Sequence, residues 1–261
     1  MKQMYTTLAT SETPALILFL LDVSASMERT MGNKRRLDVA LQSLRQAADA
    51  MIFRSTKGKL ISPRYHIGVL AYSTEVVDVL DGIHPVDKAR GLLEERLEQI
   101  VTQQGTDTAK AFYWTARILK ESLHKAYFSP APLIVHLTDG EYTGDDPAPF
   151  AYWLKRLRVA DGYVLIQNIY ISDVFAGEIR DFKTWKGIQE NTPLQDNYAR
   201  KLREMSSLIP DSYLQYLREF MGSQLLPHSY MLFPGHTPEF IRYGFQMSAA
   251  TGMQGIFFEG R

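Results

Sequence analysis

The sequence predicts an α/β fold: a doubly wound, mostly parallel central sheet with one antiparallel edge strand and helices on both faces. Three observations predict it. The runs Ala15 to Leu21 and Leu133 to Leu137 are apolar with little or no alternation, as strands covered on both faces require. Between such runs, apolar residues recur at three- and four-residue spacing, as in amphipathic helices. The alternation of the two patterns continues along most of the chain.

Residues 1–14 are polar, rich in Thr and closed by Pro14, and are expected to form a short lead-in to a single domain over 15–261. Ala15 to Leu21 is the first, central strand. From about Arg35 to Phe53, Leu37, Leu41, Leu44, Ala48, Met51 and Ile52 mark a helix that ends near Lys57-Gly58. Tyr65 to Tyr72 is the next strand, and Glu75 to Leu80 follows through the tight link Ser73-Thr74, which predicts the antiparallel edge. A helix over Val86 to Val101, a loop over Thr102 to Thr108 and a third helix to about Ala126 lead to the strand Leu133 to Leu137. A helix over Phe150 to Val159 and a strand over Tyr163 to Ile171 come next. Residues 173–228 are longer than a crossover needs and carry helices at Asn197 to Met205 and Ser212 to Met221. Ser229 to Phe233 is the last strand and Pro238 to Ala250 the closing helix.

The 261 residues are 45% hydrophobic and 22% charged, enough apolar material for one large core. Lys plus Arg and Asp plus Glu both number 29, so no overall field draws the chain to nucleic acid or to an anionic membrane, and neither is expected as a partner. The lack of cysteine removes disulfides, thiolate nucleophiles, zinc–thiolate sites and iron–sulfur clusters. The run Ala15 to Val23 is too short to span a bilayer, and no basic segment with a cleavage site precedes it. A soluble, unexported, cytoplasmic protein is expected.

Three polar clusters fall at the carboxyl ends of predicted strands or in the loop before a helix, where ligands bind in open α/β sheets. They are Asp22-Val-Ser24-Ala-Ser26, Gly105-Thr106-Asp-Thr108 and Thr138-Asp139-Gly140. Hydroxyls at Ser24, Ser26 and Thr106 with carboxylates at Asp22 and Asp139 form an all-oxygen set suited to a hard cation, Mg²⁺ in particular. Residues two apart in a loop leaving a strand turn to the same side, so Asp22, Ser24 and Ser26 can present three oxygens to one point.

The order Asp-x-Ser-x-Ser, then Thr in a Gly-Thr-x-Thr loop, then Thr-Asp-Gly resembles the metal-ion-dependent adhesion site of von Willebrand factor A and integrin I domains. The element order from Ala15 to about Ala250 is similar to that family's Rossmann-like fold. The resemblance implies that Ser24 and Ser26 contact the metal directly, Thr106 directly or through water, and Asp22 and Asp139 mostly through water. One position would be left for a Glu or Asp side chain of a partner. It further implies a non-catalytic interaction module in an intracellular complex, with Mg²⁺, Mn²⁺ or Ca²⁺ as the ion. A ring-forming ATPase or another complex subunit is the kind of partner such a module serves.

Alternatives stand beside each of these readings. Asp22, Ser24 and Ser26 are also good helix caps. Thr108 is a second hydroxyl that could replace Thr106, and Asp107 reads as a solvated loop charge. Glu141, Asp145 and Asp146 read as a solvated acidic loop, and the basic stretch Arg29 to Arg36 as a solvated helix start. The six histidines show no ligand-like spacing. Tyr113, Trp114, Phe150, Tyr152 and Trp153 read as packing residues. The competing function is a Mg²⁺-dependent phosphoryl-transfer enzyme with Asp22 as nucleophile, but that chemistry commonly wants a second carboxylate two residues on, where this chain has Ser24.

Overall fold

The computed structural model describes residues 4–176, 179 and 181–252; parts of the expected lead-in (1–3), crossover (177, 178, 180) and domain end (253–261) lie outside them. Strand β1 (Ala15–Asp22) is buried at all eight positions. A small hairpin of β2 (Thr30–Met31) and β3 (Lys34–Arg35) precedes α1 (Arg36–Ser55), and a second hairpin, β4 (Thr56–Lys57) with β5 (Leu60–Ile61), follows it. Next come β6 (Tyr65–Tyr72), β7 (Val76–Asp78), β8 (His84–Pro85), α2 (Val86–Arg96) and α3 (Thr108–Ser122). Then follow β9 (Leu133–Thr138), α4 (Ala148–Leu154), β10 (Leu165–Tyr170), α5 (Asn197–Met205), α6 (Asp211–Met221), β11 (Leu232–Pro234) and α7 (Pro238–Ser248).

The sheet runs β11-β10-β9-β1-β6-β7, with β8 also paired to β6. All neighbours are parallel except β7 and β8, which both run antiparallel to β6. The doubly wound, mostly parallel architecture is therefore the one expected, with the antiparallel edge in two pieces instead of one. Helices α2 and α7 pack beside α1 on one side, while α4 packs against α3 and α5 on the other. Burial on both faces explains why β1 and β9 are apolar without alternation; each fully buried Leu, Ile or Phe contributes ~2 kcal/mol.

From β1 the chain steps to β6 and β7 on one side, then returns to β9 on the other. The strand order reverses between β1 and β9, so their carboxyl ends open a crevice there. Asp22 ends β1 and Thr138 ends β9, which puts the first and third polar clusters side by side.

Several boundaries differ from expectation. The closing strand lies at Leu232–Pro234, and α4 runs Ala148–Leu154, because Arg158 bridges back to Tyr163 and the chain must already turn. The lead-in is tied down: Asp161, buried, accepts hydrogen bonds from Thr6 N and Thr7 N at 2.9 and 2.8 Å and from Ala131 N at 3.0 Å. The aromatic expectation fails for four of five rings, since Tyr113, Trp114, Tyr152 and Trp153 are exposed.

Candidate metal centre

Asp22 is buried, and both its oxygens are engaged. Oδ1 accepts from Ser24 N at 2.9 Å and Oδ2 from the Thr138 hydroxyl at 2.8 Å. Thr138 Oγ1 in turn accepts from Gly140 N at 3.0 Å, so one hydroxyl joins the first loop to the third. Ser24 is extended ahead of a 3-10 turn over Ala25–Glu28, and this bend sets the Ser24 and Ser26 hydroxyl oxygens 2.9 Å apart. The Ser24 side chain makes no cap hydrogen bond, and α1 begins only at Arg36, so helix capping is not the use of this cluster.

The middle loop is stitched to its surroundings by backbone. Gln103 N donates to Val23 O at 2.9 Å, Asp107 N to Ser73 O at 2.7 Å and Thr143 N to Thr106 O at 2.9 Å. Gly105 has φ +79°, and a Cβ there would stand 2.3 Å from Thr74 Oγ1, so the turn requires glycine. Thr108 donates its hydroxyl to Tyr72 Oη at 3.4 Å, whereas the buried Thr106, whose backbone N donates to Thr143 Oγ1 at 3.0 Å, makes no hydrogen bond through its own hydroxyl among the described residues. Asp107 is no solvated charge: it caps α3, accepting from Lys110 N at 2.8 Å.

In the third loop, Asp139 Oδ2 faces Arg36 Nη1 at 3.8 Å, with the two side chains only 7% and 13% exposed. Asp139 Oδ1 is buried without a hydrogen-bond partner, as is Arg36 Nε. Burial pushes the Asp22 carboxyl up to about 6; the Ser24 side chain opposes this, and the Asp139 charge adds to it. Among the described residues no three His, Cys, Asp or Glu side chains cluster in a way that could hold a metal. The donors here are two carboxylates and neutral hydroxyls, an all-oxygen set that favours a hard cation that keeps waters.

A buried polar chain runs beneath the loops. Tyr72 Oη and His136 Nε2 are 2.7 Å apart, His136 Nδ1 and Asn168 Oδ1 are 2.7 Å apart, and Asn168 Nδ2 donates to Ser206 Oγ at 2.9 Å at the end of α5. Because Asn168 Nδ2 donates, its Oδ1 takes the proton of His136 Nδ1, which assigns Tyr72 as donor to Nε2. Burial holds His136 down to about 4, in its neutral form.

The hydrogen bonds thus bring Asp22, Ser24 and Ser26 together and put Asp139 within electrostatic reach of Asp22, while Thr106 is held in the loop between them. Sequence reasoning assigned no role to Thr138 or Arg36. Thr138 was visible as the residue before Asp139. Arg36 gave no separate signal within the stretch Arg29 to Arg36, of which Arg35 pairs outward with Glu28 and Asp38. Of the acidic loop, Asp146 caps Ala148 N and pairs with Lys201.

An α/β sheet with its polar loops at the switch between β1 and β9 has the architecture of von Willebrand factor A-type domains. Residues 17–141, which include all five candidate ligands, match the family model of the von Willebrand factor type A domain. Among solved structures, the chain shares its fold with proximal thread matrix protein 1 from the mussel byssus, in a form with a zinc-occupied MIDAS motif (TM-score 0.53, 14% identity, 92% of this chain and 48% of that one). BatB from Bacteroides thetaiotaomicron is also similar (TM-score 0.44, 18% identity, 60% of this chain and 66% of that one). So is the von Willebrand factor domain of the pilus tip protein Mfa5 from Porphyromonas gingivalis (TM-score 0.40, 22% identity, 71% of this chain and 56% of that one). This chain therefore spans less than two thirds of the length of each. No curated protein matches the sequence significantly.

Proposed function

We propose that the chain is a divalent-metal-dependent protein-interaction module. Ser24, Ser26 and Thr106 offer hydroxyls to Mg²⁺, Asp22 and Asp139 hold its waters, and the open position takes a Glu or Asp carboxylate of a protein partner. With neutral groups in direct contact, the ion keeps its attraction for that anion. The partner is a subunit of a cytoplasmic complex, a ring-forming ATPase being one such class, and residues 173–228 are the part of the domain that differs most from a minimal crossover.

The observation that carries this reading is incompletely compensated charge. Two buried carboxylates repel each other, and although Asp139 Oδ2 faces Arg36 at 3.8 Å, Asp139 Oδ1 has no partner among the described residues. A buried, unpaired carboxylate oxygen costs about 1–3 kcal/mol or more, which a hydrated cation would offset. The zinc-occupied motif of the mussel protein is consistent with a divalent ion in such a site. Against phosphoryl transfer, Asp22 is fully buried, and the position two residues on, where that chemistry commonly wants a second carboxylate, is Ser24.

Calorimetric titration of the chelator-treated chain with Mg²⁺, Mn²⁺, Ca²⁺ and Zn²⁺ tests the reading. One site is expected, absent in Asp139→Ala. No binding of any of the four ions at millimolar concentration overturns it.

A further inference from the structure

The outer surface of α3 and α4 combines exposed rings with unpaired cations. On α3, Ala111, Phe112, Thr115, Ala116 and Leu119 face the sheet, so helical spacing turns Tyr113, Trp114, Arg117 and Lys120 outward on one arc. On α4, Ala151 and Leu154 face inward, and Tyr152 and Trp153 face out. Exposure reaches 48% for Tyr113, 38% for Trp114, 64% for Tyr152 and 44% for Trp153. The helices pack side by side, with Tyr113 meeting Phe150 edge-on at 6.2 Å. Beyond α3 the chain exposes Tyr127 and Phe128, and it is joined to the segment after α4 by the bond from Ala160 N to Tyr127 O at 2.9 Å.

Charge on this face is segregated. Arg117, Lys120, Lys125, Arg156 and Arg158 are exposed and have no ion pair or side-chain hydrogen bond among the described residues. Arg117 lies over the Trp114 ring at 4.9 Å and Arg156 over the Tyr152 ring at 5.8 Å. Over 108–128 and 148–163 the only exposed acid is Glu121, and the exposed Glu141, Asp145 and Asp146 lie in the loop that enters α4. The zero net charge of the whole chain conceals this, which is why composition alone argued against a membrane.

Small ligands sit in concavities. The cavity of about 720 Å³ reaches the C-terminal end of α3, where Glu121, Ser122 and Lys125 line it, but none of the cavities of about 600, 720 and 430 Å³ is lined by Tyr113, Trp114, Tyr152 or Trp153. A helical face without a groove, with amphipathic rings outward and cations between them, fits the headgroup boundary of a bilayer: rings at the edge of the acyl region, Arg and Lys on phosphate. We infer that the α3–α4 face is a peripheral docking surface for an anionic phospholipid bilayer. No described helix is long and apolar enough to cross a membrane, so attachment is at the surface. The inference is independent of the metal site.

Sedimentation of the full chain with phosphatidylcholine vesicles, with and without phosphatidylglycerol, tests it. Binding is expected to the anionic vesicles only, reversed by salt. It is expected to bring a blue shift in tryptophan emission as Trp114 and Trp153 leave water, since the third tryptophan, Trp185, is already buried. Arg117→Glu with Arg156→Glu is expected to weaken partitioning by about tenfold or more while lowering the melting temperature by no more than a few degrees, the cost of the two ring contacts. Arg156→Glu alone, in the exposed turn that follows α4, gives the same direction with less change to the surface. No binding to anionic vesicles, equal binding to neutral ones, or variants that bind as well as wild type would each overturn the inference; the first would leave the face to a protein partner.

Discussion

Arg36, the first residue of α1, faces Asp139 across 3.8 Å with both side chains largely buried, so the candidate centre contains a cation of its own. The guanidinium partly neutralises Asp139 when no metal is bound, and it repels a dication that arrives. Arg36→Gln is therefore expected to lower the stability of the metal-free chain by about 1 kcal/mol or more. It is also expected to enlarge the stabilisation by Mg²⁺ by a similar amount, about fivefold or more in affinity. Thermal melts of both proteins with chelator and with Mg²⁺ measure the two effects; an unchanged Mg²⁺ increment would show that Arg36 does not feel the ion.

Thr138 holds Asp22 in place. Thr138→Val keeps the shape but removes the O–H that donates to Asp22 Oδ2 and the oxygen that accepts from Gly140 N. The expected cost is about 1–3 kcal/mol of stability in urea unfolding. Metal affinity should fall by about tenfold to a hundredfold, because partners that orient a ligand count nearly as much as the ligand. Affinity equal to wild type would mean that Asp22 is oriented by Ser24 N alone.

His136 predicts a pH dependence. Its folded value of about 4 lies below the ordinary 6.5, so the neutral form belongs to the folded state and the unfolded chain binds the proton first. Its contribution is complete above pH 6.5 and is lost as pH falls toward about 4, for a total of ~3 kcal/mol. Asp22, raised to about 6, acts the other way in the metal-free chain: its contribution is present at low pH and is lost as pH rises from 3.8 through about 6. The two slopes oppose each other, so His136 is isolated by subtracting the stability profile of His136→Gln. The difference should shrink on acidification from pH 6.5; a difference independent of pH would contradict a neutral His136.

What was legible in the sequence follows from burial. β1 and β9 announce themselves because a strand covered on both faces tolerates almost no polar residue. Asp22, Ser24, Ser26 and Asp139 could be placed together because strand ends converge at one edge of the sheet. Arg36 was not legible, since a basic residue at a helix start looks the same in sequence whether it points to solvent or to a carboxylate. The exposed rings were legible and misread: Ala111, Phe112, Thr115, Ala116 and Leu119 already complete the inward stripe of α3, so Tyr113 and Trp114 had to face out. The two-residue hairpins left no mark, being too short for any periodicity.

Gly140 tests how tightly the third loop is built. It has φ +88°, and a Cβ there would stand 2.6 Å from Tyr170 Cε2 and 2.9 Å from Tyr198 Cβ. Tyr170 ends β10 and bonds Asp196 at the start of α5, and Tyr198 is on α5, so neither can move without disturbing that helix. Gly140→Ala combines left-handed strain of about 1 kcal/mol with an overpacking cost of about 1–3 kcal/mol. The loop must shift to relieve both, and Asp139 shifts with it. A loss of about 2–4 kcal/mol in urea unfolding, together with a smaller Mg²⁺-induced rise in melting temperature, is expected. A stable variant with an intact Mg²⁺ response would show that the loop has room the packing does not suggest, and that Asp139 need not sit where this turn puts it.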